Sequence, residues 1–360
     1  MNMRTLIRPT GFVDSPFGHD GKVARLAGGL NWFASAELIH ADGARELVPV
    51  ARIEERFDAL MAADWARLIS PRAPLVLGAR TIRLDQPQVM GIVNATPDSF
   101  SDGGAYADAR AAAEAGAAMT GQGAGIIDVG GESTRPGATT LWEGDEIERV
   151  LPVVQQLAAG GTAVSIDTRK AAVMRAAIGA GAGLVNDVSG LCWDPEAAAV
   201  VAGAGVPVVL MHHQGDPQTM QDAPCYGDVL VEVYQWLEER VAAAEQAGIS
   251  RDKILVDPGI GFGKSVTHNL ELLNGLALFH GLGCGVVLGA RRKRMIGALA
   301  GEAPVDQRLP GSLALALKAA EQGIQLIRVH DVAETVQALK VWRGLRDAAL
   351  TPRPASSQTV

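Results

Sequence analysis

From Val89 onward the chain repeats one pattern: a short apolar, largely β-branched run that closes on a polar residue or glycine, then an alanine-rich stretch of helical character. The runs are Val89 to Asn94, Ile126 to Gly130, Val164 to Asp167, Leu184 to Asp187, Val206 to Met211, Ile254 to Asp257, Gly285 to Gly289 and Gln325 to Val329. Strands covered on both faces read as continuous apolar runs, as in parallel sheets. Eight strand–helix units over about 250 residues match the size of a closed (β/α)8 barrel. The expected fold is therefore α/β, a (β/α)8 TIM barrel, with an open doubly wound sheet as the alternative.

Helices are predicted over Ala107 to Gln122, Asp145 to Ala158, Lys170 to Ala180, Asp228 to Ala247 and Gly311 to Gln322, each rich in helix formers and ending near glycine or a turn. The apolar stripe that begins at Asp228 reads as core packing rather than a partner site. The first 85 residues lack this rhythm and read as an accessory segment, residues 1–85, packed on a barrel of residues 86–348, with a helical stretch at Ile53 to Leu68. Pro71 to Pro87 reads as a linker, and the Pro- and Ser-containing tail, residues 349–360, as disordered.

Composition narrows the function. The chain has 360 residues, 48% of them hydrophobic and 20% charged, enough for one large core. A net charge of −8 argues against a nucleic acid or an anionic membrane as partner, because both select a basic face. Any anionic substrate must then be caught by a local cluster of bases. Cys192, Cys225 and Cys284 are far apart, which suggests neither a zinc site nor a disulfide framework and fits a reducing cytoplasm. The longest apolar run, Ala197 to Met211, is interrupted by Gly203, Gly205 and Pro207 and is too short for a membrane span.

In a barrel of this kind the strand C-termini converge on one mouth. Asn94 closes the first run and opens the polar loop Asn94 to Gly104; Gly130 leads into Gly131-Glu132-Ser133-Thr134-Arg135-Pro136-Gly137. Asp167, Asn186, Asp187, Met211, His212, Asp257, Arg292, Lys293, Arg328 and His330 complete the ring. Taken singly, each has a plainer reading. Asp167 before Thr168 suits a helix N-cap, Asn186 and Asp187 suit a turn, Arg328 suits a rim ion pair, and His212 and His213 point to opposite faces if both lie on a strand, which disfavours a shared metal. Asp257-Pro258-Gly259-Ile260-Gly261-Phe262-Gly263-Lys264 sets a carboxylate after an apolar strand and follows it with glycines that admit a ligand close to the backbone. Its spacing is neither a phosphate loop nor a dinucleotide fingerprint.

These segments, in this order and over about 260 residues from Val89 to the helix near Leu345, resemble the signature motifs of the dihydropteroate synthase family. The first loop and Val256 to Lys264 are the most specific of them. The N-terminal segment is similar to an extension carried by some bacterial members. The resemblance implies condensation of 6-hydroxymethyl-7,8-dihydropterin pyrophosphate with 4-aminobenzoate, releasing pyrophosphate, with Mg2+ as cofactor and a homodimer as the usual assembly. It further implies that Asp167, Asn186, Met211, Asp257 and Lys293 bind the pterin, that Thr134, Arg135, Pro136, Phe262, Arg291 and Arg292 frame the aminobenzoate, and that Asn94, Arg135, Arg328 and His330 hold the pyrophosphate. Asn94 would also be an oxygen ligand to Mg2+. The catalytic set on this reading is Asp167, Asn94, Lys293, Arg328 and His330, with Asp167 as the fixed negative charge beside a pterin cation and Lys264 as a basic group at the mouth.

The chain departs from the family at three places. Arg291 stands where serine usually borders the aminobenzoate pocket, Ala95 replaces a larger apolar residue, and His213 stands where methionine is common. A guanidinium at 291 either crowds the aromatic ring or pairs with its carboxylate, which would alter 4-aminobenzoate or sulfonamide affinity. Two other readings stay open on sequence: a pterin-binding barrel that transfers methyl groups from a reduced folate, which the first loop and Arg328 to Asp331 disfavour, and a non-catalytic pterin-binding protein.

Overall fold

The computed structural model describes residues 4–95, 105–132, 140–215, 220–289 and 293–351. At its centre eight parallel strands close on themselves: β7 Gln88–Asn94, β8 Ile126–Gly130, β9 Val164–Asp167, β10 Leu184–Asp187, β11 Val208–Met211, β12 Ile254–Asp257, β13 Gly285–Gly289 and β14 Leu326–Val329. Closure is made by β14 against β7, with Arg328 opposite Met90 and Val329 opposite Gly91. The closed (β/α)8 barrel is thus the observed fold, and all eight strands lie where the apolar runs stand in the sequence.

The helices on the outside are α2 Ala105–Gln122, α3 Glu143–Ala159, α4 Ala171–Gly179, α5 Ala197–Ala204, α6 Val229–Gln246, α7 Val266–Asn274, α8 Arg294–Leu299, α9 Leu309–Glu321 and α10 Val332–Leu350. Their apolar faces and the outward strand residues form one continuous core. The stripe on α6 is core packing as expected, with Val229, Leu230, Val233, Leu237 and Val241 buried. Asp228 begins that helix as a genuine cap, accepting from the backbone N–H groups of Leu230 and Val231.

The N-terminal segment is a folded layer. Strands β1 Leu6–Val13, β2 Ala24–Arg25, β3 Trp32–Ile39 and β4 Arg45–Pro49 form an antiparallel sheet around β3. The helical stretch expected at Ile53 to Leu68 is two pieces: a 3-10 helix Val50–Arg56 and helix α1 Ala59–Ile69, which is capped by Asp58. Phe33, Leu38, Ile53, Trp65 and Leu68 make a separate apolar cluster that reaches the barrel at Ala277. Polar ties bind the layer to the barrel. Arg72 donates to the carbonyls of His280 and Cys284, Asn31 to the carbonyl of Ala320, and Arg4 pairs with Asp64 and with Glu238 of α6.

One expectation is corrected here. Pro71 to Pro87 is not a linker: it carries the hairpin of β5 Leu75–Leu77 and β6 Arg80–Ile82. Leu75, Leu77, Ile82 and Leu84 share one apolar cluster with the inward residues Met90, Ile126, Leu184, Val209, Leu255, Val287 and Leu326. The hairpin therefore plugs the end of the barrel where the strands begin. Flanking prolines mark its ends, not a flexible connection. Of the tail, residues 352–360 lie outside the described residues.

Candidate active site

The mouth follows from strand alternation. Side chains two residues apart share a face, so the residue two beyond each plugged apolar position also points inward. Ile126 is followed by Asp128, Leu184 by Asn186, Val209 by Met211, Leu255 by Asp257, Val287 by Gly289 and Leu326 by Arg328. A polar layer thus rests directly on an apolar one.

Its electrostatic centre is Arg328, which is buried and donates through Nε to Asp128 Oδ2 at 2.5 Å and through Nη2 to Asp167 Oδ2 at 2.6 Å. Burial opposes the guanidinium charge, but Asp128 and Asp167 more than restore it, and the arginine is held above its ordinary range. Asn186 Nδ2 donates to the same Asp128 Oδ2 at 3.0 Å. Asp128 Oδ1 and the Ser165 hydroxyl, on paired positions of β8 and β9, are buried with no hydrogen-bond partner among the described residues. Such atoms cost free energy unless a ligand meets them.

Asp257 stands across the layer. It is buried, accepts from Gly259 N–H at 2.7 Å through Oδ1, and is pushed above the usual carboxylate range by burial, with that N–H, Lys293, Arg328 and Lys264 pulling it back. The loop that follows is built by glycine. Gly259 and Gly263 have φ of +66° and +62°, and a Cβ at either would lie 1.8 Å from the His212 carbonyl oxygen or 2.4 Å from that of Gln214. This close approach lets Phe262 turn into the cavity, where Lys293 Nζ lies 4.7 Å from its ring centre. Lys293 Nζ also donates to the Ile260 carbonyl at 2.5 Å. Asn186, Met211, Asp257, Phe262, Lys293 and Arg328 line one common cavity.

Of the residues expected at the site, Asp167, Asn186, Met211, Asp257, Phe262, Lys293 and Arg328 are brought together. Asn94 and His330 are half-buried at or just beyond the adjoining ends of β7 and β14. Thr134, Arg135, Pro136, Arg291 and Arg292 lie outside the described residues. Asp187 is a turn residue: it points away from the cavity and accepts from the backbone of Ser189 and Leu191 and from the Ser189 hydroxyl. Burial pushes its carboxyl up to about 6. His212 and His213 serve different partners, His212 Nδ1 meeting Lys264 and His213 Nδ1 the Gly215 carbonyl. Lys264 is not at the mouth but buried beneath the loop.

Sequence reading missed Asp128. It sits inside its run instead of closing it, yet a lone carboxylate at the inward parity of an otherwise apolar strand was the signal. It also missed a buried cluster under the second loop, where Lys170 Nζ pairs with Glu146 at 2.5 Å and Glu132 at 3.2 Å, and Glu132 also accepts from Leu141 N–H.

Residues 90–330 match the family model for pterin binding enzymes. The dihydropteroate synthase of Escherichia coli K12 is 48% identical over 262 residues, covering 72% of this chain and 92% of that protein. Two solved structures of Xanthomonas albilineans dihydropteroate synthase superpose well. One, with 4-aminobenzoic acid, has a TM-score of 0.72 at 49% identity and covers 76% of this chain and 98% of the other. The second, in complex with 7,8-dihydropteroate, has a TM-score of 0.69 at 46% identity with the same coverage. With a polar layer of two carboxylates on one arginine, a glycine-shaped loop and this likeness over the whole barrel, the chain belongs to the dihydropteroate synthases of the pterin-binding enzyme family.

Proposed function

We propose that the chain condenses 6-hydroxymethyl-7,8-dihydropterin pyrophosphate with 4-aminobenzoate to give 7,8-dihydropteroate and pyrophosphate, a step of folate biosynthesis. The observation that carries this reading is the buried layer of Asp128, Asn186, Asp257 and Arg328 beside Phe262 and Lys293, in a chain whose solved relatives hold 4-aminobenzoic acid or 7,8-dihydropteroate. A pterin-binding methyl transferase or a non-catalytic binder is not favoured.

The pterin's 2-amino and ring N–H groups form a fork that one carboxylate accepts, and Asp257 is that carboxylate. Asn186 donates and accepts along the rest of the ring, Met211 gives an apolar wall, and Lys293 donates to the carbonyl side. Breaking the bond between the exocyclic methylene and the pyrophosphate oxygen leaves positive charge on the pterin. Asp128 and Asp167, two carboxylates on one guanidinium, keep the inner wall negative where that charge forms. The neutral aryl amine then forms the new C–N bond and loses its proton afterwards. Phe262, Thr134, Arg135, Pro136, Arg291 and Arg292 frame the aminobenzoate, with Arg291 altering affinity for it and for sulfonamides.

The leaving pyrophosphate would meet Asn94, Arg135, Arg328 and His330. Among the described residues no three His, Cys, Asp or Glu side chains form a metal cage. A Mg2+ would therefore take most of its ligands from phosphate oxygens and water, with Asn94 as a protein oxygen, which fits the hard-ligand preference of that ion. When bound it would neutralise the departing charge.

Assembly and compartment extend the proposal: a cytoplasmic homodimer joined through the late helices, where Leu299, Val305, Val341 and Leu345 are exposed. Sedimentation should give twice the chain mass, and Val341→Glu with Leu345→Glu should shift it toward the monomer; a monomeric wild type contradicts the dimer. The activity itself is tested by incubating the purified chain with both substrates and Mg2+ and measuring dihydropteroate. No product at saturating aminobenzoate would refute it.

A further inference from the structure

Lys264 closes the loop 258–264, yet it is not among the side chains lining the cavity. It is only 3% exposed. Its Nζ meets three acceptors: His212 Nδ1 at 2.8 Å, the Gly259 carbonyl at 3.0 Å and the Phe262 carbonyl at 2.9 Å. An ammonium has three N–H bonds, so this buried ion has a partner for each. From outside, the loop is also held by Lys293 Nζ donating to the Ile260 carbonyl and by three neutral ties: Gln221 Nε2 to the Gly261 carbonyl, Tyr226 hydroxyl to the Gly263 carbonyl, and Asn269 Oδ1 accepting from Gly261 N–H.

The three acceptors matter through what they adjoin. Gly259 is the residue whose N–H donates to Asp257 Oδ1. Phe262 carries the ring beneath Lys293 Nζ. His212 follows β11 directly and is wedged against Trp236, ring centres 4.9 Å apart at 75°. One buried side chain therefore joins the carboxylate of the pterin wall, the aromatic wall and the neighbouring strand.

The arrangement tolerates loss of a proton. Burial brings Lys264 down to about 7, with Asp257 opposing, while burial, Lys264 and His213 hold His212 down at about 2. The imidazole is thus neutral in both states. A neutral amine keeps two N–H donors for the two carbonyls, and its lone pair accepts from Nδ1–H of the other His212 tautomer. All three ties survive.

We propose that Lys264, with His212 as its anchor, is a positioning residue for both substrates: it fixes the spacing between Asp257 and Phe262 and so couples pterin affinity to aminobenzoate affinity. This rests on the condensation reading above. In the full chain, Lys264→Met should melt cooperatively while weakening pterin pyrophosphate binding in calorimetry by about tenfold or more, the scale of lost hydrogen bonds to a buried charged group. The KM for aminobenzoate should rise by a similar factor and kcat should change less.

His212→Asn places an amide atom where Nδ1 stood and should keep both constants within about threefold, whereas His212→Leu should reproduce Lys264→Met. The proposal fails if Lys264→Met or His212→Leu lowers only the melting temperature and leaves both constants at wild-type values. It fails equally if His212→Asn is as damaging as His212→Leu, because ring packing and not the acceptor would then be responsible. If Lys264→Met does not fold, the two His212 variants decide. Calorimetry without aminobenzoate keeps this outcome separate from that of the condensation reading, which a wild type without turnover would refute by itself.

Discussion

At the scale of single residues, the site rests on inward parity. Asn186, Met211, Asp257 and Arg328 were legible in the sequence because each ends or nearly ends an apolar run, and alternation places it above a buried apolar side chain. Arg328 departs from the simple rim reading, since its two carboxylate partners draw it inside. Asp187 shows the converse: it shares the strand end of Asn186, but the opposite parity makes it a turn residue. Asp257→Ala should abolish measurable pterin binding in calorimetry, because the fork of donors on the pterin loses its only facing carboxylate on β12; wild-type affinity would remove Asp257 from this role. Arg291→Ser should change the KM for aminobenzoate and the inhibition constant of a sulfonamide by about tenfold, the value of one charged hydrogen bond or its removal. Unchanged constants would mean that the Arg291 guanidinium points away from the ring.

At the scale of elements, the barrel was readable strand by strand because parallel strands covered on both faces read as nearly continuous apolar runs. The N-terminal hairpin was not, because its strands span three residues each and stand among Pro71, Pro74 and Pro87. Its signal was the alternation of Leu75 with Leu77 and of Ile82 with Leu84, the period of a half-buried strand. The cluster of Glu132, Lys170 and Glu146 was equally hidden, since three charges on three separate segments have no local pattern. Fully buried Lys170 pins Glu132, at the base of the second loop, to α3. Removing one partner of such a cluster strands the others, so Lys170→Met should cost about 3–5 kcal/mol in chemical denaturation. A loss below about 1 kcal/mol, the range of exposed pairs, would show that the cluster carries no structural weight.

At the scale of the whole molecule, the extension and the barrel share surfaces. The sheet and α1 cover the outside of the barrel at Ala277 and α6, while the hairpin fills its floor. Phe33 is fully buried in the apolar cluster of the sheet and α1 and meets Trp65 edge-on, ring centres 5.7 Å apart. Phe33→Ala should therefore cost about 3–5 kcal/mol, read from urea denaturation followed by tryptophan fluorescence. A near-neutral effect would mean that the layer contributes little to the folded state. The polar segments 94–104 and 131–137 and the Pro- and Ser-containing tail carry no hydrophobic period from which an element could be read.

The central claim is that this barrel makes a C–N bond at the expense of the C–O bond that joins the pterin methylene to its pyrophosphate. Its most direct test follows dihydropteroate and pyrophosphate together, in one reaction of the purified full chain with the pterin pyrophosphate, 4-aminobenzoate and Mg2+. The account predicts that the two products rise in equal amounts and that both fall when Asp257 is replaced by Ala. Pyrophosphate released without dihydropteroate, or neither product at saturating aminobenzoate, would contradict it.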